Sequence, residues 1–318
     1  MTFFVGAYAT IAKGLKAPDQ ELVYDVLRRH PLVRGFEIPF ADVWAGEDLA
    51  HVRARLGDEA EVVLTTIPGL FGRGGQDPFF GPASADESGR RESLTFLHNA
   101  WDATRRLAEI IGPERIAAVS IASAPTRTSM IGHEGRSRFA DSMTEVLSWD
   151  WGSTRVVVEH CDAFTDSGQS AKGYLALDDE IFAVLQANAV SERNAVVGVN
   201  WGRSAIEGRS ATTPLEHLQI AIDAGVLGEM IFSGCSSQPS EYGRAWADAH
   251  VPSVAEEPTS LLTAMSIAEC LELLTDLSDP VLTGLKISAP ASFTAQERLG
   301  MLDRELQLLA TARRVWAR

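Results

Sequence analysis

Short runs rich in β-branched residues recur along the chain, and a segment with helical periodicity separates each run from the next. The eight runs cover residues 3–7, 33–39, 61–67, 116–121, 155–160, 195–200, 229–233 and 282–288. Continuous apolar runs are typical of parallel strands that are covered on both faces. Eight alternations of strand and helix predict an α/β fold, a closed (β/α)8 TIM barrel, because an open doubly wound sheet usually has fewer repeats.

Helix-end signals support this division of the chain. A long helix is predicted over residues 92–111, and the Gly112-Pro113 pair ends it. The last predicted helix runs from residue 294 to about residue 315 and begins with a Thr-x-x-Glu capping pattern. No linker long enough to divide the chain lies between these elements. Residues 1–318 are therefore predicted to form a single (β/α)8 barrel domain.

Two connections that follow predicted strands are unusually rich in glycine and polar residues. They cover residues 68–91, after the third strand, and residues 123–139, after the fourth. Long loops in compact domains are commonly lids or binding loops, and barrel enzymes bind substrates at the carboxyl ends of their strands. We expect both loops to border the active site.

Composition and charge exclude several classes of protein. Hydrophobic residues make up 45% of the 318 residues and charged residues 22%, as in globular proteins with a large core. The net charge of -15 disfavours a nucleic-acid partner, and no Lys/Arg run longer than a pair offsets it. No apolar run approaches the roughly 18 residues of a membrane span, and the first residues resemble a strand and not a signal peptide. We expect no membrane partner.

The three cysteines, Cys161, Cys235 and Cys270, are scattered without CxxC spacing. This spacing argues against a disulfide framework or a zinc knuckle and suits a reducing compartment. A cytoplasmic location is the resulting prediction. The sequence indicates no oligomeric state.

Ionisable and polar residues occur where the predicted strands end. The fifth run ends in Glu159-His160-Cys161-Asp162, Glu37 interrupts the second run, and Lys286 lies in the eighth. A charged group in a barrel strand must be paired or functional, because burying it unpaired costs several kcal/mol. We therefore predict Glu159, Glu37 and Lys286 as catalytic residues.

Strand alternation separates Glu159 from its neighbour. Adjacent side chains on a regular strand point to opposite faces, so Glu159 is predicted to enter the lumen and His160 to lie under the helices unless the strand bends. Asp162 reaches the pocket only if the chain bends after the strand. His250, in a later loop, is expected to be solvated.

The candidate substrate-binding residues are Asn200, Trp201, Arg203, Asp162 and His160. Trp201 suits either a sugar-stacking platform or core packing, and His160 is more typical of a structural histidine. Two carboxylates and an ammonium suit proton removal next to a carbonyl group. A carboxylate takes the proton, and a cation or a metal stabilises the enediolate.

Three segments together resemble the xylose-isomerase-like barrels, a superfamily of sugar isomerases, epimerases and endonuclease-IV-type enzymes. They are Gly35-Phe36-Glu37-Ile38-Pro39, Val157-Val158-Glu159-His160-Cys161-Asp162 and Gly284-Leu285-Lys286-Ile287-Ser288. The chain resembles more narrowly a poorly characterised, domain-of-unknown-function branch. The resemblance implies that the acids ending strands two and five lie in the pocket and that the strand-five acid ligates a divalent metal. Glu37 and Glu159 occupy these places.

The other metal positions of the superfamily differ here. Members place Asp or His after strand six, His near strand seven, and Glu or Asp at strand eight, where this chain has Asn200, Ser233-Gly234 and Lys286. A lysine at the fourth corner repels a cation. Two alternatives follow. Either Glu159, Asp162 and Asn200 retain a site for Mn, Mg or Zn, or Lys286 takes the place of the cation and no cofactor is used.

The leading prediction is a sugar isomerase or epimerase that acts on a small sugar or polyol derivative by carboxylate-mediated proton transfer at the carboxyl face of the barrel. A second possibility is a lyase or aldolase in which Lys286 forms a Schiff base. A third is a non-catalytic sugar-binding barrel. The charge of -15 makes an endonuclease the least favoured choice. The expected partner is a small sugar-like molecule.

Overall fold

The computed structural model describes residues 1–12, 14–42, 44–126, 134–164 and 170–312. Over these ranges, eight parallel strands close into a barrel in chain order, and the last strand pairs with the first. The strands are β1 (Phe3–Val5), β2 (Val33–Pro39), β3 (Glu61–Thr65), β4 (Ile116–Ile121), β5 (Arg155–Glu159), β6 (Ala195–Asn200), β7 (Leu227–Phe232) and β8 (Leu282–Leu285). The predicted TIM barrel is confirmed.

Helices cover the outside of the barrel. They are α1 (Ala7–Ile11), α2 (Ala17–Leu27), α3 (Gly46–Leu56), α4 (Ile67–Gly74), α5 (Glu87–Ile111), α6 (Glu134–Leu147), α7 (Leu177–Val190), α8 (Trp201–Gly208), α9 (Thr213–Asp223), α10 (Ala264–Leu273) and α11 (Ala295–Ala312). Within the described ranges, no helix has both the length and the apolar character that crossing a membrane requires.

The connection after β3 is more ordered than the sequence predicted. Helix α4 occupies its first part, and α5 begins at Glu87 instead of residue 92. The cap explains the earlier start, because Asp86 accepts a hydrogen bond of 2.8 Å from the Gly89 backbone N–H. The prediction of one continuous loop over residues 68–91 was therefore wrong. In the connection after β4, residues 127–133 lie outside the described residues.

A small apolar cluster, separate from the core under the helices, fills the amino-terminal part of the barrel lumen. It consists of Phe4, Val63, Ala118, Val157 and Leu282, each from a different strand. Side chains two positions apart on a strand share a face. The next inward positions on β3, β4 and β5 are therefore Thr65, Ser120 and Glu159, and these carry polar groups. The apolar cluster therefore lies beneath a layer of polar side chains at the carboxyl ends of the strands.

Candidate active site at the barrel mouth

The carboxyl ends of β2, β5 and β8 bring together Glu37, Glu159 and Lys286. Lys286 Nζ lies 2.6 Å from Glu37 Oε1 and 3.6 Å from Glu159 Oε1. No more than 6% of any of these side chains is exposed. Ion pairs this deeply buried are strongly coupled, because removing one charge leaves another without solvent or partner. The three residues predicted as catalytic are thus neighbours in space.

Two groups from β6 and α8 fix one oxygen of Glu159. Asn200 donates from Nδ2 to Glu159 Oε1 at 3.0 Å, and Arg203 donates from Nη1 to the same oxygen at 2.5 Å. Asn200 also caps α8, since its Oδ1 accepts from the Arg203 backbone N–H. Glu159 Oε2 is buried and has no hydrogen-bond partner among the described residues. This second oxygen remains available for a ligand.

Arg203 reaches Glu159 because residue 202 is a glycine. A Cβ at residue 202 would lie 2.6 Å from the Ser233 carbonyl oxygen and 3.0 Å from that of Gly234. Only glycine lets the first turn of α8 pack so closely on the end of β7. This close packing places the Arg203 side chain over Glu159, a contact that the sequence alone did not predict.

Tyr8, at the start of α1, is a further member of the cluster that the sequence did not reveal. Its hydroxyl donates to Glu37 Oε1 at 3.0 Å, and its ring centroid lies 5.9 Å from Lys286 Nζ. Burial raises the pKa of Tyr8, so the phenol keeps its proton and acts as a donor. The residue as a whole is only partly buried.

The loop after β7 returns to the barrel mouth at Asp248 and His250. Asp248 pairs with Lys172 and accepts from Arg203 Nε at 3.2 Å. His250 Nδ1 lies 2.9 Å from Ser233 Oγ, and only 16% of its side chain is exposed. The expectation that His250 is a solvated loop residue was wrong. Burial lowers the pKa of His250 to about 3, so the imidazole is neutral.

The carboxyl groups of the pocket differ in acidity. Burial alone would raise the pKa of Glu159, but Arg203 and Lys286 outweigh it and hold this pKa below its ordinary value. Burial raises the pKa of Glu37 despite the neighbouring ammonium. Burial opposes the charge of Lys286, yet Glu159 and Glu37 hold its pKa well above the usual range. These shifts favour the charged forms of Glu159 and Lys286 and disfavour the charged form of Glu37.

A fourth acid, Glu229, lies deeper in the barrel and was not singled out from the sequence. It pairs in register with Gly198 of β6, where a Cβ would lie 2.7 Å from Glu229 Oε2. The absence of a side chain at Gly198 therefore makes room for this carboxyl group. Burial, reinforced by Glu159 and Glu37, raises the pKa of Glu229 well above its ordinary value. This shift favours the protonated, uncharged form of Glu229.

The barrel mouth does not suit a divalent cation. Three carboxyl groups already meet three cationic groups, namely Glu37, Glu159 and Asp248 against Lys286, Arg203 and Lys172. Lys286 Nζ also lies between the two acids that a metal would need, and its charge would repel the ion. The sequence left two alternatives, a retained metal site or a lysine in the place of the cation. The side chains at the barrel mouth fit the second alternative.

Two other sequence candidates serve different parts of the structure. Asp162 accepts from the backbone N–H groups of Ala171 and Lys172 at 2.6 and 2.9 Å and so orders the chain after β5. Across the described ranges, no hydrogen bond joins it to Glu159 or Asn200. Trp201 is fully buried in the core between barrel and helices, and it presents no ring to the pocket.

His160 lies on the opposite side of β5 from Glu159, among the helices. Its Nδ1 is 2.7 Å from Glu180 Oε2 and its Nε2 is 2.9 Å from Glu207 Oε2. Burial would lower the pKa of His160, but these two acids raise it to about 10. His217 of α9 lies nearby, and burial lowers its pKa to about 4. The structure does not bring His160 into the barrel pocket.

The chain has sequence relatives over nearly its whole length. A family described as a domain of unknown function, DUF4862, matches residues 4–301. An uncharacterized protein of Salmonella typhimurium is 30% identical over 328 aligned residues, which cover 98% of both chains.

Solved structures with the same fold extend this comparison. A proposed xylose isomerase from Rhodospirillum rubrum superimposes with a TM-score of 0.65 at 11% identity, covering 98% of this chain and 99% of the other. D-psicose 3-epimerase from Clostridium cellulolyticum H10, solved with D-tagatose, gives a TM-score of 0.58 at 12% identity and covers 99% of each chain. At such low identity the likeness shows the fold alone, an eight-stranded parallel barrel surrounded by helices.

Proposed function

Since the chain belongs to the DUF4862 family and folds as a xylose-isomerase-like barrel, we propose that it is a sugar isomerase or epimerase. Its reaction would move a proton next to the carbonyl group of a small sugar or polyol derivative. The observation that carries this proposal is the cluster of Glu37, Lys286 and Glu159, in which two carboxyl groups flank one buried ammonium.

In this proposal Glu37 transfers the proton. Its carboxylate takes a proton from the carbon beside the substrate carbonyl, and the electron pair of that C–H bond moves to form an enediolate. In an isomerase, Glu37 then gives the proton to the former carbonyl carbon, while the hydroxyl proton of the substrate passes to the other substrate oxygen. In an epimerase, a second acid on the opposite face gives a proton to the same carbon, and Glu37 releases the proton that it took to solvent. The raised pKa of Glu37 favours this role, because an acid–base group works best when its pKa approaches the operating pH.

Lys286 and Glu159 supply the electrostatics. The Lys286 ammonium stabilises negative charge on the substrate oxygen as the enediolate forms, and it is held in place before the reaction begins. Glu159 stays anionic and positions Lys286 and Arg203. Glu159, the leading catalytic candidate of the sequence, thus takes a positioning role in the proposal.

The Schiff-base alternative receives less support. A lysine attacks a carbonyl only as the neutral amine, and it usually becomes neutral through burial beside an apolar or cationic group. Lys286 instead lies between two acids that hold its pKa well above the ordinary value. We expect borohydride to trap no adduct at this residue.

Deuterium exchange tests the proposal even when the product is unidentified. The full chain is incubated in D2O with a panel of small aldoses and ketoses, and deuterium at the carbon next to the carbonyl is followed by NMR. We expect exchange with at least one sugar and a loss of about 100-fold or more in Glu37→Gln. Tyr8→Phe, which removes a hydrogen bond to Glu37, should lower the rate less.

Glu61→Gln is a matched control, because Glu61 begins β3 at the other end of the barrel and pairs with Arg34 near the surface. It should exchange deuterium as the wild type does. Wild-type rates in a folded Glu37→Gln protein would refute the assignment of Glu37. Sugar binding without any exchange would refute the enzyme and favour the non-catalytic barrel.

A further inference from the structure

We propose that His160, Glu207 and His217 form a second site, outside the barrel, that binds a divalent transition-metal ion of the zinc type. The site lies between the end of β5 and helices α8 and α9, and it is separate from the pocket that contains Glu37. The inference does not depend on the proposed sugar chemistry.

The ligand atoms already converge. One atom from each of the three side chains lies within 4.8 Å of the others. His160 Nε2 is 2.9 Å from Glu207 Oε2, and His217 Nε2 is 3.7 Å from Glu207 Oε1. Zinc bonds of about 2.1 Å at tetrahedral angles place neighbouring ligand atoms about 3.4 Å apart. The 2.9 Å separation would open by about half an ångström, and the 3.7 Å separation, which is measured to the other carboxylate oxygen, would shorten by about 0.3 Å.

The second nitrogen of each imidazole has its own partner, which is an independent mark of a metal site. Glu180 Oε2 lies 2.7 Å from His160 Nδ1, and Ser204 Oγ lies 3.0 Å from His217 Nδ1. Metal-binding histidines are usually held in this way, by a carboxylate or another polar group that fixes the ring and its tautomer. Both Nε2 atoms are thereby directed toward Glu207.

Glu207 is also oriented by the chain around it. The Ala163 backbone N–H donates to Glu207 Oε2 at 2.7 Å, which fixes the carboxylate. Ser123 Oγ in turn donates to Glu180 Oε1 at 2.5 Å. Ser123 thus orients Glu180, Glu180 orients His160, and the Ala163 backbone orients Glu207.

Charge and access agree with a divalent ion. Glu180 and Glu207 bring two carboxyl groups to His160. A divalent ion would replace the proton between His160 Nε2 and Glu207, and this proton would leave to solvent. The two positive charges of the ion would then balance the two carboxylates. Two imidazoles favour zinc or cobalt over magnesium, which prefers oxygen ligands. Glu207 and His217 are 17% and 12% exposed, so the ion has a path from the surface.

Cobalt absorption tests this site directly. The full chain is freed of metal by chelation and titrated with Co2+, whose visible absorption is strong in tetrahedral sites. We expect one equivalent to bind, to be displaced by Zn2+, and to be unaffected by Mg2+. Glu207→Gln and His217→Gln should each weaken binding about tenfold or more, and Glu180→Gln by about 10-fold to 100-fold.

Two control variants separate this site from other parts of the molecule. His51→Gln removes an exposed histidine, and Glu37→Gln alters the barrel pocket, so both should bind cobalt as the wild type does. Unchanged binding in His217→Gln, or binding lost in Glu37→Gln, would overturn the proposal. If the site variants do not fold, X-ray absorption of the zinc-loaded wild type decides. Two imidazole nitrogens are expected, and a shell of oxygens alone would contradict the site.

Discussion

Replacing Lys286 by methionine removes the buried ammonium and keeps a side chain of similar length. Glu37 and Glu159 would then face each other without the cation that lies 2.6 and 3.6 Å from their oxygens. We expect the free energy of unfolding at pH 7 to fall by about 3–5 kcal/mol, the usual cost of removing one partner of a buried ion pair.

The structure supports a value in this range. With an effective dielectric constant of about 20, the two separations correspond to attractions of about 6 and about 5 kcal/mol. Burying the ammonium costs several kcal/mol and offsets part of this attraction. Glu37 can also take up a proton in the variant, since burial already raises its pKa, and this limits the loss.

The loss should depend on pH in a defined direction. The pKa of Lys286 is raised in the folded state, so its contribution is present below its ordinary pKa of about 10.4 and is lost as pH rises through the folded value. The pKa of Glu159 is lowered, so its contribution is present above about pH 4.3 and is lost at lower pH. The difference from the wild type is therefore largest between about pH 5 and pH 10.

Urea unfolding followed by tryptophan fluorescence measures this difference. Lys16→Met, at an exposed lysine, is the matched control and should change stability by less than about 0.5 kcal/mol. The double variant Lys286→Met with Glu37→Gln should recover part of the loss, because it removes one of the two facing acids. An unchanged stability at pH 7, or an equal loss at pH 3 and pH 7, would refute the reasoning.

Glu229→Gln should be nearly neutral in stability at pH 7, because the raised pKa of Glu229 favours the protonated carboxyl group, which the amide resembles. The same variant should remove an infrared band of a protonated carboxyl group, and a loss of stability above about 2 kcal/mol would contradict this assignment. Gly202→Ala should lower the unfolding free energy by about 1–3 kcal/mol, since its Cβ would lie 2.6 Å from the Ser233 carbonyl oxygen. Gly72→Ala, with no atom within 4 Å of the added carbon, is the control, and equal losses in the two variants would argue against a steric cause.

The barrel could be predicted because each strand is a local pattern of β-branched residues. The least accurate boundary is that of β8, predicted over residues 282–288 and observed over Leu282–Leu285. The Lys286 backbone N–H still donates to the Phe232 carbonyl at 2.9 Å, so the pairing extends slightly beyond the strand. Alternation along β5 predicted that Glu159 and His160 would face opposite ways, and the structure places them on opposite sides.

The rest of the pocket could not be derived from local pattern. Asp248 lies far along the loop after β7, and the path of that loop depends on pairings such as Gly234 with Val251. Tyr8 follows β1 in a helix of only five residues, too short for a periodic signal. Glu229, unlike Asp248 and Tyr8, had a local signal in the sequence, because it is an acid inside an apolar run. The same argument that singled out Glu37 in β2 would have found it.

The end of β5 has a consequence for how the two proposed sites act on each other. Glu159 and His160 are consecutive, and the His160 backbone N–H is fixed to the Gly198 carbonyl at 2.8 Å. The peptide group between Glu159 and His160 therefore connects a side chain inside the barrel to a side chain outside it. If metal binding outside shifts this peptide group, it also shifts the Glu159 carboxylate inside, and the affinity for a sugar changes with it. Thermodynamic linkage makes that effect reciprocal, so sugar binding would alter metal affinity by the same factor.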